Sequence, residues 1–216
     1  MVKGLVFGIL AGLAGAAVWA AISHFTGFEI GYLAWGIGLL VGLGFAAGLR
    51  GSGSVFTGVL AAVVALGAVT AGKYAAAVWD VDAYVKQNPP PAVSRELVVS
   101  FIADDVVEEY RQADRSLDYP PNADTEFPES ESDYPADVWA EATARFDALS
   151  PQEQQAKTDD VDAFMRQNVA AFREAATADM FKASFSAFDL LWAFFAVATA
   201  FRLGAAGSGK PQQAAA

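Results

Sequence analysis

The sequence predicts an all-α protein: a four-transmembrane-helix bundle with an acidic helical extramembrane domain inserted between spans three and four. Three observations carry that expectation. The 216 residues are 54% hydrophobic with a formal net charge of -11, so the apolar and acidic parts must be segregated along the chain. Four stretches are apolar over the ~20 residues that a helix needs to cross a hydrocarbon core of ~30 Å. Between residues 78 and 182, 23 acidic residues face only nine basic ones. A field of that sign repels nucleic acid and anionic lipid, and attracts cations or a basic partner.

Span one covers residues 4–23 and follows a lone Lys3. A basic start, an apolar middle and Val18-Trp19-Ala20 resemble a secretory signal. Against that stands a ridge of Gly4, Gly8, Gly12, Ala16 and Ala20 at strict four-residue spacing, which lets a second helix approach closely and argues for a retained span. After a Thr26-Gly27 turn, span two (residues 29–49) repeats the device with Gly38 and Gly42, then Gly44 and Gly48. Such ridges serve either packing within one bundle or self-association.

Gly51-Ser52-Gly53-Ser54 makes a hairpin, and span three runs over residues 55–77, where Gly67, Ala71 and Ala75 continue the small-residue theme. Its helical pattern persists to the Pro89-Pro90-Pro91 triplet, which bars helix at Asn88. In the acidic domain, residues 78–181, Ser94 is placed to cap a helix with Val98, Ile102, Val106 and Tyr110 on one stripe. Residues 115–137 collect four prolines among acids and Ser, and read as a loop or disordered excursion. Val138, Trp139, Ala142 and Phe146 then share a helical face. Ser150-Pro151-Gln152-Glu153 has a cap, a proline at the first helical position and a capping-box Glu. From there the pattern meets no breaker before the fourth span, residues 182–204, so the last soluble helix is expected to enter the bilayer unbroken. Residues 205–216 read as a small, polar, disordered tail.

One segment repeats. Residues 80–88, DVDAYVKQN, recur as residues 160–168, DVDAFMRQN. The expectation is that the copies pair antiparallel about a local two-fold axis. Orientation follows from basic residues outside the acidic domain: Lys3, Arg50, Arg202 and Lys210 fall on one side of a four-span chain, which places both termini in the cytoplasm and the acidic domain outside it. Trp19, Tyr32, Trp35, Tyr74 and Trp79 cluster towards the outer face as an interfacial belt.

Ionisable groups inside a bilayer cost ~3 kcal/mol or more near its centre, so each needs a partner. Lys73 lies about one turn from the outer end of span three and Asp189 about six residues inside span four, at depths a few Å apart. Lys can snorkel, but Asp is too short to do so. Asp189 is therefore expected to pair with Lys73, with Glu29 and His24 at the rim. The cluster reads either as an ion pair that sets the register of the spans or as a cation or proton site beneath an acidic vestibule.

Other chemistry is thin. Asp104 with Glu108, and Asp105 with Glu109, stand at helical i, i+4 spacing, which more often marks a solvated face than a metal site. With a single His and no Cys, the di-iron and thiolate-metal schemes are excluded. No Gly-rich loop follows a strand, so no nucleotide cradle is expected. The residues therefore name no catalytic group, cofactor or metal.

The segment FTGFEIGYLAWGIGLLVG, residues 25–42, resembles a recurrent module of small multi-span bacterial inner-membrane proteins. YPADVW (134–139), ALSPQE (148–153) and FDLLW (188–192) are similar to other parts of that group. The resemblance implies a bacterial inner-membrane protein with Glu29 and Asp189 as motif positions, and it implies no activity. The expected function is a non-catalytic structural or accessory subunit of a membrane assembly, self-associating through its Gly ridges or joined to other membrane subunits. The alternative is a small cation or proton channel or transporter working through Glu29, Lys73 and Asp189.

Overall fold

The computed structural model describes residues 1–27, 31–126, 128 and 130–206. Its secondary structure is helical: α1 (Val2–Thr26), α2 (Tyr32–Leu49), α3 (Val55–Gln87), α4 (Arg95–Gln112), α5 (Ala136–Asp147), α6 (Pro151–Ala183) and α7 (Ala187–Gly204), with one 3₁₀ turn at Glu131–Asp133. The chain divides into two compact units, Met1–Asn88 with Arg173–Ala216, and Pro89–Phe172. The helical bundle thus takes in all of α3 and the last turns of α6. Glu29, Lys210 and the expected tail from residue 207 onwards lie outside the described residues.

The first unit holds four helices long and apolar enough to cross a membrane: α1, α2, α3 and α7. Each of α1 and α7 packs on both α2 and α3, and α2 touches α3 across the middle, so α1 and α7 take opposite corners. The glycine ridges do this packing. Gly44 and Gly48 of α2 lie on the backbone of α1 at Phe7, Gly8 and Gly4, where a Cβ added to Gly48 would come 2.5 Å from the Gly4 Cα. Gly4, Gly8 and Gly12 receive Leu49, Phe45 and Val41 of α2 in turn. Gly38 and Gly42 receive α7 at Ala196, Ala200 and Leu203. All seven glycines therefore point into the bundle, and self-association through these ridges has no free surface to use. On α3 the packed face is Gly58, Ala61, Ala65, Ala68, Gly72 and Ala76. The expected stripe of Gly67, Ala71 and Ala75 lies on another side of the helix, and a Cβ at Gly67 would meet open space.

The turns follow their chemistry. Gly27 ends α1 at φ 66, a left-handed conformation that costs glycine nothing. Ser54 and Thr57 form a reciprocal cap on α3, worth about 1 kcal/mol. The buried Thr57 hydroxyl also donates to the Gly204 carbonyl at 2.7 Å, satisfying one of the orphan acceptors at the end of α7.

Two expectations are corrected here. The last soluble helix does not run unbroken into the fourth span: α6 ends at Ala183 and α7 starts at Ala187. The physical cause is a capping box in which the Ser186 N–H and hydroxyl both donate to the Asp189 carboxylate, at 2.5 and 3.0 Å, and restart the helix. Trp19 is not in an interfacial belt, since it is 1% exposed within the core of the first unit.

The second unit builds its own core from α4 (Val98, Val99, Ala103, Val106, Val107, Tyr110), α5 (Val138, Trp139, Ala142, Phe146) and Val161 of α6. Ser94 caps α4 through Leu97 N–H, and Ser150 with Glu153 caps α6 reciprocally. The Pro-rich stretch is anchored by Tyr134, which is 2% exposed and stacks on Trp139. One copy of the repeated segment belongs to each unit, residues 80–88 to the first and 160–168 to the second.

Candidate functional site

The site is built where α6 stops and α7 begins, and Lys73 of α3 is its centre. The side chain of Lys73 is 1% exposed, and its Nζ lies 3.1 Å from Asp189 Oδ1, where the partner carboxylate is 20% exposed. Nζ also donates to the Ser184 carbonyl at 2.5 Å. That carbonyl belongs to the end of α6, whose last C=O groups have no partner within the helix. The ammonium is therefore placed on the negative end of one helix dipole, and the Asp189 carboxylate on the positive end of the next. Two rings flank the charge, Trp19 with its centroid 5.6 Å away and Phe185 at 5.1 Å. One lysine thus binds α3 to the α6–α7 break and rests against α1.

Asp189 carries two loads. Its Oδ2 holds the Ser186 cap while Oδ1 holds Lys73, so both oxygens are occupied within the fold. A cavity of about 280 Å³ lies beside it, lined by Trp19, Gly31, Ser186, Phe188, Asp189 and Trp192.

His24 is not brought to Lys73. Its Nδ1 pairs with Asp80 Oδ1 at 2.7 Å, and its ring meets Trp79 edge to face. Asp80 was not an expected partner, because helix phase alone does not say which of Asp80 and Asp82 faces α1. Asp82 instead meets Arg173 at 3.5 Å. Trp35 Nε1 donates to Thr199 Oγ1 at 3.1 Å, a further polar tie between spans, α2 to α7. Glu29 lies outside the described residues.

In the second unit two of the paired carboxylates of α4, Asp104 and Glu109, serve the fold. Glu109 receives both guanidinium nitrogens of Arg145, at 2.8 and 2.6 Å, and Glu141 shares that guanidinium at 2.6 Å. These bonds hold the Glu109 carboxyl below its ordinary range; Glu141 is also held low, first by the Tyr110 hydroxyl and then by Arg145. Asp104 accepts from the Tyr134 hydroxyl at 2.8 Å. Burial of its carboxyl pushes Asp104 up, and the phenol bond offsets part of that rise; Tyr134 is itself pushed far up, first by burial. Among the described residues no group of three His, Asp or Glu is placed to hold a metal ion.

Comparison with known proteins yields no match: no family model, no curated protein and no solved structure is significantly similar to this chain. Fold and site define its class, a helical protein whose four apolar helices are compatible with an integral membrane protein.

Proposed function

We propose that the chain is a non-catalytic, multi-pass protein of a bacterial inner membrane, a structural or accessory subunit with both termini cytoplasmic and the acidic unit extracytoplasmic. One observation carries this reading: the deepest charge of the bundle is spent on holding helices together. The Lys73 ammonium, almost fully enclosed, is committed to Ser184, Asp189 and two rings. From that level to Lys3, Arg50 and Arg202 the described spans hold no further Asp, Glu, Lys, Arg or His that could continue a relay. Homo-oligomerisation, part of the same reading, then uses outward faces of the bundle, because the glycine ridges of α1 and α2 are filled.

The test is reconstitution. Purified protein in liposomes should pass neither protons nor alkali cations, and native pull-downs should recover a stable membrane partner or a second copy. A second reading, conduction past Glu29, Lys73 and Asp189, has one observation in its favour, the cavity beside Asp189. Cation or proton flux that disappears in Asp189→Asn would establish it in place of the first.

A further inference from the structure

The second unit carries 19 acidic residues against six basic ones, and its charges are not treated alike. On one flank they neutralise each other: Arg145 with Glu109 and Glu141, Arg95 with Asp147, and Arg115 with Asp137. Between α4 and α6 they do not. There a cleft of about 410 Å³ opens over Val98 and Val161, two residues of the core, with Phe101 and Phe164 as its walls. Its rim is Asp105 on α4 and Asp160 with Lys157 on α6, and among the described residues none of the three has an ion-pair partner. Phe164 is 49% exposed although it meets Phe101 edge to face at 5.4 Å. An aromatic left half in water beside unpaired carboxylates is the pattern of an anchor pocket with a charged rim.

We propose that this cleft is a docking site for an amphipathic helix of a partner protein that carries basic residues beside its apolar face. The volume admits roughly two or three large apolar side chains, the number one helical face presents at i, i+3 or i+4, and i+7. Asp105 and Asp160 select Arg or Lys flanking that face, and the excess of acid over the whole unit steers such a helix in and turns acidic helices away. The same excess disfavours an anionic lipid surface as the occupant. Lys157 receives an acidic residue or the C-terminal carbonyls of the docked helix, which sets its direction. The inference rests on the accessory-subunit reading only in making the acidic unit the part that meets a partner.

The experiment uses the full chain in nanodiscs and three fluorescent peptides. The first is an amphipathic helix with Leu and Phe on one face and Arg flanking it. Its twin has Glu in place of each Arg, and the third is a scrambled peptide of the first composition. Anisotropy should show saturable binding of the Arg peptide alone, weakening as salt rises. Asp105→Asn with Asp160→Asn should weaken it about tenfold, and Phe164→Ala by about the same factor. Asp118→Asn with Glu126→Gln, two exposed acids elsewhere in the unit removing the same charge, should change it less than about twofold. Unchanged helix content by circular dichroism secures each variant as folded. The proposal is overturned if the Arg peptide does not bind, if the Glu twin or the scrambled peptide binds as well, or if the control pair weakens binding as much as the rim pair. Any of these leaves the membrane reading intact, since liposome flux and topology are measured without a peptide.

Discussion

Removing either half of the Lys73–Asp189 clasp should destabilise the bundle, and unequally. Asp189→Leu takes its carboxylate from the Lys73 ammonium, which is 1% exposed, and it strips the capping box from α7. Loss of one partner of a buried pair costs about 3–5 kcal/mol, so the upper part of that range applies here. Lys73→Met keeps the bulk of the side chain and leaves Asp189, which is 20% exposed and still holds the Ser186 donors, so its carboxylate can take water instead. The expected loss is about 1–2 kcal/mol, the range for a group that can rehydrate. The double variant then contains no ammonium deprived of its carboxylate and should be as stable as Asp189→Leu or up to about 1 kcal/mol more stable, a coupling of about 2 kcal/mol. Reversible unfolding in mixed micelles, followed by near-ultraviolet circular dichroism, measures all four corners of the cycle. Additive losses with no coupling would refute the clasp.

Further expectations concern packing and pH. Gly48→Ala puts a Cβ 2.5 Å from the Gly4 backbone, which has no side chain to swing aside, and should lower micelle stability by about 1–3 kcal/mol, whereas Gly67→Ala meets open space and should be neutral or stabilising. A large loss at Gly67 would instead mark that face as an interface. Tyr134→Phe removes the donor to Asp104 and should cost the second unit about 1–2 kcal/mol, read by hydrogen exchange of the α4 and α5 amides in the full chain. The pH dependence has two limbs. Asp104 is raised in the folded state, so its favourable contribution is complete below the unfolded value of about 3.9 and is lost as pH rises through the folded one. Glu109 and Glu141 are lowered, so theirs is present above about 4.3 and lost as pH falls through the folded values. Hydrogen exchange of the same amides, corrected for intrinsic rates, should lose the first limb in Asp104→Asn and the Glu109 part of the second in Arg145→Gln, while the Glu141 part, held first by the Tyr110 hydroxyl, shrinks but persists; unchanged profiles would contradict these assignments.

Much of the architecture was legible in advance because it depends on local quantities. Span length is set by bilayer thickness, and the caps at Ser94 and Ser150 by side chains three residues apart. The Lys73 and Asp189 pair was legible for a related reason, since a short carboxylate in lipid must find a donor at its own depth. The rest depends on rotation of one helix against another. Periodicity placed Gly67, Ala71 and Ala75 on a packing face, but α3 buries the side bearing Ala61, Ala65 and Gly72. Trp19 looked like a belt residue, yet it lies under the Lys73 ammonium. Asp80 had a near-twin in Asp82, and only the fold chose between them for His24. The break before α7 did leave a trace, Ser186-x-x-Asp189 ahead of an apolar run, obscured by helical periodicity on both sides. Tyr134 was hidden by its Pro-rich, acidic surroundings, which signal a loop but say nothing of an anchor inside it.

The partition of the chain across the membrane is the claim on which the functional reading stands. The sequence has no Cys, so single substitutions Ser52→Cys and Ser116→Cys each report one site without background. A membrane-impermeant thiol reagent added to intact bacterial cells, and then to inverted vesicles, should label Ser116→Cys only in the cells and Ser52→Cys only in the vesicles. Labelling of both sites from the same side, or of Ser116→Cys only in inverted vesicles, would contradict the account.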